Sequence, residues 1–121
     1  MKKFKVKDRI KSFGYAFRGI KLLIKGEHNA WIHILVTIVS VILGFYYKIN
    51  TTEWFAIIIS IGMVLMAETF NSSIEELADK VNPEQDIKIK NTKDLAAGAV
   101  LISAIMAIVI GSIIFVPKIF Y

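Results

Sequence analysis

The sequence predicts an all-α membrane protein: an N-terminal amphipathic interfacial helix and three transmembrane helices, in a single domain over residues 1–121. Three observations carry this. Hydrophobic residues make up 55% of the chain and its mean hydropathy is +0.59, too apolar for an ordinary soluble domain of this size. Charged residues, 21% of the total, gather in blocks between apolar runs, which excludes a disordered or low-complexity chain. Three such runs follow one another, and with helical continuation each reaches the roughly 20 residues that cross a hydrocarbon core.

The first element covers residues 1–28. Within it Ile10, Phe13, Phe17, Ile20 and Ile24 recur at spacings of three and four, while Lys11, Arg18, Lys21 and Lys25 lie largely off that stripe. The pattern fits a helix lying in the membrane interface, and equally one packed on the rest of the protein, because both need the same stripe. A cleavable signal peptide fits poorly, since the basic N-terminus leads into an amphipathic stretch, so nothing is expected to be removed.

The first span, residues 30–47, reads AWIHILVTIVSVILGFYY, eighteen residues without a formal charge. The second, residues 54–78, opens with only fourteen apolar residues, WFAIIISIGMVLMA, before Glu68. It is expected to continue as helix through ETFNSSIEELADKV, because beyond Gly62 nothing breaks it. The third, residues 95–116, is twenty-two residues without a charge, with Pro117 expected to end it. Between the last two, VNPEQDIKIKNTKD reads as a mobile connection, with Lys93 and Asp94 at the start of the third helix. Trp31 and Trp54 read as interfacial belt residues.

Fifteen Lys and Arg against ten Asp and Glu give a formal charge of +5, which beside three apolar runs points to an anionic lipid surface and not to nucleic acid. Nine of the basic residues precede Ala30 and four lie between Asp79 and Asp94, against one in the first turn and one in the tail. The N-terminus and the second loop are therefore expected in the cytoplasm. With no cysteine, a disulfide framework, thiolate catalysis and sulfur-ligated metals are excluded. The chain has no GxxxxGK[ST] and no HRD or DFG set, and His28 and His33 lack the HExxH spacing of a zinc protease.

The chemistry concentrates in the second span. At about 100° per residue, Glu68, Asn71, Glu75 and Asp79 share one helix face within about 80°, with Ser72 beside them. Carboxylates at membrane depth are costly and default to function, although Glu68 and Asn71 bonding across helices in an inert bundle would also satisfy the spacing. The facing spans offer no Lys or Arg, so the stripe needs a divalent cation, protonated carboxyls or basic groups from outside the spans. Glu27 and Glu75 could supply the one or two carboxylates that Mg²⁺ takes beside phosphate oxygens and water, which implies a nucleotide. Lys93, placed at a helix start among free backbone N–H groups, is a reasonable phosphate partner. Glu68 lies about 10 Å of helix rise deeper than Glu75, where it could take a proton from a buried hydroxyl.

The run AETFNSSIEELADKV resembles the E-x-x-N-S-x-I-E-x-x-x-D signature of the prokaryotic diacylglycerol kinase family, and NTKDLAAGAVLI resembles its K-D-x-x-x-x-A-V-L partner. The order of elements is also similar, and the resemblance runs from Arg9 to Lys118. EHNAWIH at 27–33 and the ending FVPKI are more similar to the undecaprenol kinases of the family than to its proteobacterial diacylglycerol kinases. The resemblance implies a homotrimer in the bacterial inner membrane that transfers the γ-phosphoryl group of ATP, with Mg²⁺, to undecaprenol or, as a close second, diacylglycerol. It implies that Glu68 is the general base, Asn71 a supporting polar residue, and Glu27 and Glu75 the metal carboxylates. Lys93 and Asp94 are the implied nucleotide-contacting pair, with Tyr15 and Glu84 near the nucleotide and Asp79 in support. His33 stands where proteobacterial members carry an acid near the lipid, and Gln85 and Asp86 replace an aromatic and a histidine.

Two other classes compete. A small oligomeric cation channel or carrier would use the acidic stripe as an ion path, but the stripe covers only one half of one span. An inert anchoring subunit would tolerate neutralisation of the stripe.

Overall fold

The structure, a computed structural model, describes residues 3–26, 28–81 and 86–121, and every regular element among them is an α-helix. In chain order these are α1 (Val6–Gly26), α2 (His28–Tyr46), α3 (Thr51–Val81) and α4 (Ile87–Phe120). The last three are long and apolar enough to cross a membrane. The expectation of an all-α protein with one amphipathic helix and three candidate spans is met.

Local chemistry sets the helix ends. α2 closes in a Schellman arrangement: the Ile49 N–H donates to the Gly44 carbonyl and the Lys48 N–H to that of Phe45, with Lys48 in the left-handed region at φ 51°. α3 opens with a capping box in which the Glu53 N–H donates to Asn50 Oδ1 and the Asn50 N–H to Glu53 Oε1. Between these two motifs the chain reverses in a few residues, so α2 and α3 run antiparallel.

α3 and α4 form the most extensive interface, with α2 against α3 and α1 resting only lightly on α2 and α3. The residues of α3 buried along this seam, Ile57, Ser60, Val64, Glu68, Asn71 and Ala78, follow one another at helical spacing. α4 answers with the buried small residues Ala96 and Ser103 over part of its length, which lets the two backbones approach. An ion pair brackets each end of this hairpin: Lys93 Nζ with Asp79 Oδ1 at one end, Lys118 Nζ with Glu53 Oε2 at 3.2 Å at the other. At the Lys118 end lies the hydrophobic core of Ile49, Ile57, Ile114 and Phe115, with Trp54 packed against it. Trp54 is thus more than a belt residue, since its ring also covers Gly44 and packs tilted against Phe45, with centroids 4.9 Å apart.

α3 and α4 differ from the expected boundaries in an informative way. At about 1.5 Å per residue their 31 and 34 residues span about 46 and 51 Å, well beyond a hydrocarbon core of about 30 Å. Both therefore overrun the membrane, and the segment Ile87–Asp94, expected in a loop, is two turns of α4. The signal was Asp86, whose carboxylate caps the helix by accepting from the backbone N–H of Lys88 at 2.8 Å and of Ile89 at 3.4 Å. Pro117 does not end α4, which continues to Phe120. Pro costs one backbone bond, and spanning helices tolerate it.

α1 buries none of its residues, and Ile10, Phe13 and Phe17 of its stripe are 66–70% exposed. The stripe is not spent on packing within this chain, which leaves it available to a lipid surface.

A Cβ on Gly44 would stand 2.6–2.8 Å from the Trp54 ring, closer than real carbons approach. Gly44→Ala is expected to destabilise the core at the Lys118 end by about 1–3 kcal/mol, as overpacking does. Equilibrium unfolding in mixed micelles reads this directly, and an unshifted midpoint would show that the indole moves aside freely.

Candidate active site

The acidic stripe of α3 divides into a buried half and an exposed half. Glu68 is 1% exposed, the most enclosed large side chain among the described residues, and Asn71 is buried one turn on. Glu75 is half-buried and Asp79 exposed, in the part of α3 that overruns the span. In the register set by the two ion pairs, Glu68 stands level with Ser103 and Ala104 of α4, small residues that leave room for a carboxylate inside the bundle.

That carboxylate is poorly partnered. Neither Glu68 oxygen accepts a hydrogen bond, and Asn71 Oδ1, Ser72 Oγ and Ser60 Oγ are likewise buried without one. Its nearest basic group is His33 Nε2 of α2, 3.4 Å from Glu68 Oε2, close enough for an ion pair yet not aligned as a hydrogen bond. Buried polar atoms are nearly always satisfied, so this row of orphans marks a surface shaped for something other than its own packing.

His33 also lines a cleft of about 530 Å³ between α2, α3 and α4. Its walls are mostly aliphatic, with Val36 and Ile32 from α2, Ile57 and Val64 from α3, and Ala107 and Ile108 from α4. The hydroxyls of Thr37, Ser40, Ser60 and Ser112 are the polar exceptions. An apolar channel that ends beside an orphaned carboxylate suits a molecule with a hydrocarbon body and a polar end. No residue of α1 lines this cleft.

Where the two long helices overrun the span, Lys93 clasps Asp79 across the hairpin. The hydrogen bond that Lys93 donates to the Asp79 carboxylate holds its ammonium above its ordinary pKa, and the charges of Asp79 and Glu75 add to this. Lys93 therefore sits at the exposed end of the same acidic face. It is not at a helix start as expected: it lies two turns inside α4, and the first free amides of that helix are taken by Asp86. Any role with phosphate rests on its ammonium alone. Asp94, its expected companion, is exposed on another face of α4, over a shallow hollow with Leu95 and Gly98. Tyr15 is 71% exposed on α1 and is not brought into the site within one chain. Glu27 and Glu84 lie outside the described residues. Sequence spacing on α3 found Glu68 and Asn71, but it missed the pairing of His33, which reaches Glu68 from another helix.

The sequence profile described as prokaryotic diacylglycerol kinase matches residues 14–115. The chain belongs to that family. It is therefore a membrane lipid kinase, and the stripe just described lies within the matched residues. It is 35% identical to the undecaprenol kinase of Bacillus subtilis (strain 168) over 108 residues, 89% of this chain and 88% of that one. It is 25% identical over 100 residues to the diacylglycerol kinase of Escherichia coli (strain K12), covering 83% and 82% of the two chains. To the diacylglycerol kinase of Synechocystis sp. it is 26% identical over 107 residues, which span 61% of that longer chain.

Loss of the Asp86 cap would loosen the turns of α4 that carry Lys93. Asp86→Ala is expected to cost about 1 kcal/mol and to speed amide hydrogen exchange at residues 88–92 while leaving the 95–116 region protected. Exchange at 88–92 equal to that of the unsubstituted protein would show that the cap does not hold this end.

Proposed function

We propose that the chain transfers the γ-phosphoryl group of ATP to the hydroxyl of a membrane lipid, with undecaprenol favoured and diacylglycerol a close second. The observation that carries the reading is that one histidine joins two features: His33 lines the apolar cleft and contacts the enclosed Glu68. A lipid chain in the cleft brings its terminal hydroxyl to the carboxylate. The greater similarity to an undecaprenol kinase supports the first lipid.

Phosphoryl transfer depends on positioning and charge neutralisation more than on covalent help. Glu68, held inside the bundle by α4 and without a hydrogen-bond donor of its own, accepts the proton of the lipid hydroxyl. Asn71, one turn on with its Oδ1 unpartnered, orients the reacting groups. Toward the exposed end Glu75 has the position of a metal carboxylate, with Glu27 as its companion and Asp79 supporting Lys93 beside the phosphates. Among the described residues no three His, Asp or Glu gather into a closed cage. The donors present are all oxygen, and few, which fits Mg²⁺, an ion that keeps phosphate oxygens and water among its ligands. When bound, that ion would neutralise charge on the β- and γ-phosphates. Tyr15, Glu84 and Asp94 complete the proposed nucleotide contacts.

The positions of the basic residues support an inner-membrane protein with its N-terminus in the cytoplasm: α1 and the Lys93 end of the bundle carry most of the Lys and Arg. α1 then lies on the cytoplasmic leaflet. The exposed acidic end of α3 supports assembly of copies, in this reading a homotrimer.

Purified protein in mixed micelles with Mg²⁺ and γ-labelled ATP is expected to label undecaprenol in preference to diacylglycerol when the two are offered in parallel. Labelling of neither lipid by folded protein would overturn the reading. Glu68→Gln, which keeps the shape and removes the basic oxygen, is expected to lower the rate by at least about a hundredfold. A loss of under about tenfold would show that Glu68 is not the base.

A further inference from the structure

Resting on that reading, we propose that His33 is a positioning residue that acts through Glu68: its Nε2 receives the proton that Glu68 takes from the lipid hydroxyl and passes it out of the bundle. The reason lies in how tightly Glu68 is enclosed. With 1% of its side chain exposed and no hydrogen-bond partner on either oxygen, Glu68 has no contact with water through which to lose a proton after each turnover. A base that cannot be reset works once. His33 Nε2 is 3.4 Å away, and the His33 side chain, 19% exposed, reaches the cleft that Glu68 does not line.

The surroundings favour a relay over a static ion pair. His33 is the sole histidine, acidic or basic residue of α2 between Asn29 and Tyr46. α4 has no acidic or basic residue from Leu95 to Val116. The other charged groups of the packed helices lie toward the ends of the bundle: Glu75, Glu76, Asp79 and Lys80 on α3 and Lys88, Lys90, Lys93 and Asp94 on α4 at one end, Glu53 and Lys118 at the other, and Lys7, Asp8, Arg9, Lys11, Arg18, Lys21 and Lys25 on α1. The contact is also not locked by an aligned hydrogen bond. The backbone of His33 is held in place, since its carbonyl accepts the Thr37 hydroxyl at 2.7 Å as well as belonging to α2.

The proton balance closes without a further reactant. The lipid O–H bond breaks as its oxygen bonds to phosphorus, and the proton goes to Glu68. Glu68 then gives it to the lone pair on neutral His33 Nε2, regenerating the carboxylate. The imidazolium, on the partly exposed His33 side chain, loses it to water once the phosphorylated lipid has left the cleft.

The test is chemical rescue in micelles containing the lipid that the unsubstituted protein phosphorylates. His33→Ala is expected to lower kcat at least about tenfold with KM for ATP and lipid within about twofold, and added imidazole is expected to restore a substantial part of kcat. His33→Gln, close in size and able to hydrogen-bond but not to accept the proton, is expected to stay as slow as His33→Ala. It also serves as the variant to read should His33→Ala fail to fold. Full activity of His33→Gln, a kcat of His33→Ala within about twofold of normal, or a loss without imidazole rescue in a folded variant would each overturn the relay while leaving the lipid-kinase reading intact. Failure of the unsubstituted protein to phosphorylate either lipid would overturn that reading and the relay with it.

Discussion

A carboxylate enclosed in an apolar helix bundle is the constraint around which this structure is arranged. Its cost can be met by a cation, a proton or a hydrogen-bond donor, and among the described residues it meets only a loose contact from His33. Along α3 the positions that would ordinarily be filled by Leu or Ile are taken by Ser60, Glu68 and Asn71. Those polar residues give up packing energy at the interface of α3 and α4, the most extensive in the bundle. A bundle selected for stability alone would not leave its central seam underpartnered, and the orphaned atoms are the mark of a site.

Stability is instead placed at the two ends. At the Lys118 end the capping box, the Schellman turn, the Trp54 ring over Gly44 and the cluster of Ile57, Ile114 and Phe115 form a packed plug. At the other end Asp79 and Lys93 join the overrunning turns of α3 and α4 outside the hydrocarbon, where an ion pair contributes modestly and chiefly sets register. The middle, with the cleft and Glu68, is thus suspended between two fixed points. In the proposed function, this division would let a lipid chain enter between helices without unpacking the fold.

Much of this was legible in the sequence. Three charge-free or nearly charge-free runs require helices, because in lipid each backbone N–H and C=O must be paired within the segment. The spacing of Glu68, Asn71, Glu75 and Asp79 requires them to share a face. The extent of α4 was less legible: Ile87–Asp94 mixes lysines, Asn and Thr with two isoleucines, a pattern without a clear apolar face, and Asp86 as a cap was the signal that it turns helical early. Pro117 misled in the opposite sense, since its ring removes one donor without forcing an end near the last turn of a spanning helix.

The sequence by itself determined the number of spans, the acidic face of α3 and the basic asymmetry of the two ends, because each depends only on periodicity and composition along one segment. Only the tertiary structure decided that His33 meets Glu68, that the cleft ends there, and that Lys93 holds Asp79 while Asp94 faces elsewhere. These contacts depend on the rotation and register of one helix against another. No spacing within a single helix encodes either.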